Sequence, residues 1–147
     1  MKKFHFSMEN LLSYKNQILD SELKILSDLK RQQQESLARM VCIEQNYEKC
    51  KASLDLKLTE IASPHECQLY LHYIGDLNTQ KKAVRREIDR LDMRISEQIE
   101  YVREMKIEAK TLESLKESKL EEYGKAVLKK AELNMDEFIS GTRVLKA

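Results

Sequence analysis

Apolar residues return at every seventh position from Leu12: Leu12, Leu19, Leu26, Gln33, Met40, Tyr47, Leu54 and Ile61. Only Gln33 breaks the row, and the phase never slips. Leu11, Ile18, Leu23, Ile25, Leu29, Leu37, Ile43 and Leu58 flank it. A sustained seven-residue repeat marks an α-helix that supercoils against a partner helix. A second array follows Pro64. One row is Cys67, Ile74, Lys81, Ile88, Ile95, Val102 and Ala109; the other is Tyr70, Leu77, Val84, Leu91, Gln98, Met105 and Leu112. Together they make a seam interrupted only by Lys81 and Gln98.

Between the arrays lies Ser63-Pro64-His65-Glu66. Ser63 suits the cap position, Pro64 the first helical position, and Glu66 completes a capping box. The residue before a proline avoids the α region, so the first helix is expected to end near Ile61 or Ala62. A turn this short folds the second helix back along the first. The predicted fold is all-α: two long helices in an antiparallel coiled-coil hairpin, the second longer. The whole chain, 1–147, is expected to be a single rod, with helices at about 7–61 and 64–138, a turn at 62–63 and a flexible tail at 139–147.

In a tight hairpin, facing residues have numbers that sum to about 124 to 128 here. Gln33 and Gln98 then fall within about a turn of each other. They form either a buried polar pair that fixes register or two side chains at the wet edge of the seam. Lys81 comes near Tyr47 and weakens packing there, its stem lying on apolar surface. Tyr47 and Tyr70 fill the seam, whereas Tyr73 lies beside it and is the better surface candidate.

The first helix is too short to cover the second. Beyond about residue 120 the second helix lacks a helical partner, and its apolar residues leave the strict heptad: Leu115, Leu120, Tyr123, Val127, Ala131, Met135 and Phe138. An uncovered apolar stripe is a binding surface or a fraying end. Gly124 and Gly141 weaken this segment as a helix. Phe4 and Phe6 fall at the same end and are able to join the contact.

Composition supports long helices. Charged residues make up 35% of the chain, with Gly at 3 and Pro at 1, too few breakers for many turns. The net charge of +1 points to neither a nucleic acid nor an acidic membrane as partner. The cluster Lys81-Lys82-Ala83-Val84-Arg85-Arg86 is read as a solvated helix face. Cys42, Cys50 and Cys67 are odd in number and lack Cys-x-x-Cys spacing, and no apolar run follows Met1-Lys2-Lys3 as a leader requires. A reducing cytosol is expected. No run approaches the roughly 20 apolar residues of a membrane span.

Catalytic chemistry is not expected. Neither a Gly-rich phosphate loop nor a Gly-x-Ser-x-Gly elbow occurs. His65 and Cys67 are too few for a zinc site. Two helices do not enclose a pocket that excludes water. No catalytic residue, metal or cofactor is assigned.

The ends of the chain carry Phe4-His5-Phe6 ahead of Leu11-Leu12, Leu112-Glu113-Ser114-Leu115-Lys116 ahead of Tyr123, and Met135-Asp136-Glu137. In these the chain resembles the FliJ family of the bacterial flagellar type III export apparatus. Lys3-Phe4-His5-Phe6-Ser7-Met8-Glu9-Asn10-Leu11-Leu12 is similar to the family's opening, a Phe-x-Phe followed by a Leu-Leu pair. Lys110-Thr111-Leu112-Glu113-Ser114-Leu115-Lys116-Glu117-Ser118-Lys119 with Tyr123 is similar to its Leu-Glu-x-Leu-Lys block, and Met135-Asp136-Glu137 to a Leu-Asp-Glu. The resemblance implies a non-enzymatic, stalk-like coiled coil. It would bind the hexameric export ATPase, contact the cytoplasmic domain of the export gate and handle export chaperones. Its implied location is cytoplasmic, peripheral to the membrane at the flagellar base through protein partners only.

Overhang and resemblance together assign Phe4, Phe6, Leu115, Leu120, Tyr123, Val127 and Met135 to ATPase contact. Met40, Ile43, Tyr47, Tyr73 and Leu77 are assigned to the gate. The alternatives are a general coiled-coil scaffold that self-associates through the overhang, or the injectisome counterpart of the same stalk.

Overall fold

Ser63 ends one helix-to-helix connection and starts the next helix by capping it. Its hydroxyl accepts the Glu66 N–H at 3.3 Å, and its carbonyl accepts the Cys67 N–H at 3.3 Å. Pro64 occupies the first helical position, where its missing N–H costs nothing. The Glu66 carboxylate turns toward Lys57, at 3.9 Å, across the connection. The computed structural model describes residues 2–60 and 63–146. Ile61 and Ala62, where the first helix was expected to end, lie outside the described residues.

Two helices account for nearly all of the described chain: α1, Glu9–Thr59, and α2, Pro64–Lys146. α1 opens with the Glu9 N–H donating to the Phe6 carbonyl at 3.1 Å, and Glu9 complements the positive end of the helix dipole. It closes with Lys57 in its last turn and with the Thr59 hydroxyl donating to the Leu56 carbonyl at 2.7 Å. α2 runs past the expected stop near 138 to Lys146. Gly75, Gly124 and Gly141 all lie inside it, none with a positive φ. A helix loses only about 1 kcal/mol per glycine relative to alanine, so one glycine does not end it.

The residues group into two compact units, Ser21–Val102 and Met1–Asp20 with Arg103–Ala147. In the first, α1 and α2 run antiparallel. Lys57 pairs with Glu66, Glu44 with Lys81 at 3.7 Å, and Gln33 with Asp92. Leu29, Leu91 and Ile95 form its tightest core, with Leu26 packed against them and Leu91 at 0% exposure. In the second unit the helices are again antiparallel, joined by Lys15–Glu108 at 2.7 Å and Glu9–Lys116 at 2.8 Å. Phe6, Leu12 and Ala109 are buried there.

Every position of both α2 heptad rows is buried or half-buried, Lys81 and Gln98 included. The described part of the α1 row from Leu12 to Leu54 behaves the same way. Its companion row is Lys15, Glu22, Leu29, Ser36, Ile43, Cys50 and Lys57, also buried or half-buried throughout. Ser36 is closed from solvent and accepts a hydrogen bond from Arg39 at 3.0 Å. The flanking residues Leu11, Leu23, Ile25, Leu37 and Leu58 are instead exposed.

Gln33 and Gln98 do not form the polar pair considered from the register. Each finds an acidic partner on the opposite helix. Gln33 donates to Asp92, and Gln98 donates to both the backbone carbonyl and the carboxylate of Glu22. A carboxylate accepts more strongly than a second amide, which favours this arrangement.

Candidate partner-binding surfaces

α1 begins at Glu9, so α2 beyond Lys116 has no helix to pack on within its unit. The N-terminal segment takes over part of that task. The Phe4 ring lies 5.6 Å from the Tyr123 ring, tilted by 53°. The Tyr123 hydroxyl donates to the Lys2 carbonyl at 2.6 Å. Phe6 is buried, at 5% exposure. Burying such a ring contributes about 2 kcal/mol, and a tilted aromatic pair about 1 kcal/mol more. Residues 2–8 thus line one wall of a groove of about 570 Å³, and Leu115, Lys119, Glu122, Tyr123 and Ala126 line the other. The stripe expected to be uncovered from about residue 120 is therefore partly covered, as far as Ala126.

Between residues 128 and 139 the apolar positions are open. Leu128, Leu133, Met135, Phe138 and Ile139 are exposed, Phe138 at 71%. Leu128, Ala131 and Met135, with Glu132 and Asp136, form a shallow groove of about 310 Å³. Of the residues assigned to this surface from sequence, Leu115, Leu120 and Met135 are exposed, Phe4, Tyr123 and Val127 half-buried, and Phe6 buried. Leu128, Leu133 and Ile139 were not assigned. Leu133 falls on the continued Leu112 row, whereas Leu128 and Ile139 sit beside the heptad rows, and an exposure map rather than a periodicity finds those two.

The second assigned set lies in the Ser21–Val102 unit. Met40 and Leu77 are seam residues, 7% and 3% exposed, reached only by opening the seam. Ile43 and Tyr47 are half-buried, and Tyr73 is exposed. Tyr73 lines a groove of about 390 Å³ with Lys57, Glu66, Leu69 and Tyr70. Leu56, Leu58, Leu69 and Leu71 are exposed near the Ser63-Pro64 connection. Their density is visible in the sequence once the seam rows are subtracted.

Lys81, Lys82, Arg85 and Arg86, with Asn78, line an open groove of about 480 Å³ beside the seam position of Lys81. Glu87 and Arg90 form the tightest ion pair on this helix, at 2.6 Å. The Arg90 guanidinium, by hydrogen bonding Glu87, holds its carboxyl below the usual carboxylate range, with Arg39 and Arg94 adding to the effect. Cys42 is exposed, Cys50 buried and Cys67 half-buried, all as free thiols. Among the described residues no three His, Cys, Asp or Glu side chains converge as a metal site. No described helix is long and apolar enough to cross a membrane.

Two long helices meeting along a heptad seam define a class: antiparallel helical hairpins of the coiled-coil kind. Within that class the assignment is specific. Residues 4–144 match the family described as Flagellar FliJ protein, and the chain belongs to that family. The match takes in both the N-terminal segment carrying Phe4 and the exposed end of α2. The family is a component of flagellar protein export. No curated protein and no solved structure matches the chain.

Proposed function

We propose that this chain is a non-enzymatic, stalk-like coiled coil that binds the hexameric export ATPase and links it to the cytoplasmic domain of the export gate. It handles export chaperones at the same place, in the cytoplasm at the inner face of the membrane. Membership of the export family supports the setting. The observation that carries the ATPase contact is the bare apolar face of α2 at Leu128, Met135 and Phe138. An apolar face of this kind on a charged helix needs a protein partner to cover it. The ATPase surface comprises Leu115, Leu120, Tyr123, Val127 and Met135, with Phe4 and Phe6 packed beside them. The gate surface comprises Met40, Ile43, Tyr47, Tyr73 and Leu77, of which Tyr73 is exposed, Ile43 and Tyr47 are half-buried, and Met40 and Leu77 are buried in the seam.

Purified chain mixed with the cognate ATPase tests this reading. Binding, together with a change in hexamer formation or in ATP hydrolysis, is expected. A chain that does neither sinks it. The same bare face also supports self-association as a scaffold. Sedimentation at micromolar concentration separates the two, because a monomer that grows only on adding ATPase excludes the scaffold.

A further inference from the structure

Residues 2–6 have neither helix nor strand structure of their own, yet they are fastened to α2. The fastening is made by side chains. Tyr123 supplies both a ring for Phe4 and a hydroxyl for the Lys2 carbonyl. Among the described residues, that carbonyl is the one main-chain group of the segment bonded to α2. Releasing the segment therefore breaks no backbone ladder, and the freed chain regains its conformational entropy.

What it covers is the length of α2 that has outrun α1. Leu115 and Tyr123 line the groove it forms with α2; the exposed Leu128 and Met135 lie about half a turn around the helix from that groove. Tyr123 presents less apolar surface with the segment seated than with it released. The groove lining mixes the apolar Leu115, Tyr123 and Ala126 of α2 with Lys119 and Glu122, which pair with each other at 3.6 Å. That suits an amphipathic helix that places one large apolar side chain over Tyr123 and lays polar residues along the Lys119–Glu122 pair.

We propose that residues 2–6 are a displaceable clasp, and that a partner helix docks on α2 by taking the place of Phe4 against Tyr123. The proposal rests on the stalk-like reading above, with the helix belonging to the export ATPase. Partner and clasp then compete for one face, and the apparent affinity is the intrinsic affinity reduced by the fraction of chains with the clasp open. Phe4 is a competitor in this scheme, not a contact.

The test compares the full-length chain with its Phe4→Ala and Tyr123→Phe variants, titrated against the cognate ATPase. Hydrogen exchange over residues 115–126 is followed in parallel. Phe4→Ala is expected to bind about 3- to 10-fold tighter, as opening a mostly closed state requires, and to exchange faster over 115–126. Tyr123→Phe keeps the ring and loses only the bond to Lys2, so its gain is smaller. Binding that is retained but equal or weaker in Phe4→Ala overturns the clasp alone. So does unchanged exchange over 115–126. Absence of binding by all three proteins overturns the stalk-like reading, and the competition with it.

Discussion

Gln98 and Glu22 are joined twice across the α1–α2 seam, the glutamine amide donating at 3.0 Å to the backbone carbonyl and at 2.6 Å to the carboxylate of the same residue. Both residues are half-buried. Gln98→Ala is expected to destabilise the chain by about 1–3 kcal/mol, because the bond involves a charged acceptor. Glu22→Ala in that background should add little. A double-mutant cycle by urea unfolding measures the coupling. Fully additive single-mutant effects would refute it.

Leu91 is the best-enclosed apolar side chain, packed on Leu29 and Ile95. Leu91→Ala should cost about 2–5 kcal/mol, the usual range for a leucine truncated in a packed site. Leu128→Ala, on the bare face of α2, should stay within about 0.5 kcal/mol of the parent. Chemical denaturation of the two side by side checks the contrast.

Ser63→Ala removes the oxygen that accepts the Glu66 N–H. A loss of about 1 kcal/mol is expected. Ser63→Asp should restore most of it, since aspartate also caps and adds charge at the positive helix end. Thermal unfolding followed by circular dichroism reads both.

Glu87 titrates below the ordinary range because of the Arg90 hydrogen bond first, with Arg39 and Arg94 adding charge. A depressed folded-state pKa stabilises the fold above the unfolded-state value. That contribution is lost as pH falls through the lowered value. Arg90→Gln should move the Glu87 midpoint upward. A carboxyl-carbon NMR titration of the two proteins tests this, and an unmoved midpoint would mean that Arg90 is not the cause.

The fold was legible where side chains advertise their burial. The rows through Leu12, Ile88 and Leu91 are apolar at heptad spacing, and all of them enter the seam. The α1 companion row was hidden because Lys15, Glu22, Ser36 and Lys57 are polar. Ser36 is buried for its small size and its bond from Arg39, and Lys15 and Lys57 reach carboxylates on α2. Hydrophobicity alone does not mark such positions. The partial cover over Tyr123 was equally hidden, because a short non-helical segment has no period. Phe4 and Phe6 were singled out as aromatic residues able to join a contact. That they pack on the chain's own α2 follows only from three dimensions.

Contacts near the Ser63-Pro64 connection join residues close in sequence, whereas those at the termini do not. Cys50 and Tyr70 are 20 apart, Lys15 and Glu108 are 93 apart, and Lys2 and Tyr123 are 121 apart. Closing a long loop is slower and costs more entropy than closing a short one. Loop closure alone thus favours a zip-like order of assembly from Pro64 outward, with each closed contact shortening the next loop. The aromatic pair of Phe4 and Tyr123 is the last tooth to engage. In the reverse direction the clasp proposal requires it to part first, with the rest of the seam still shut.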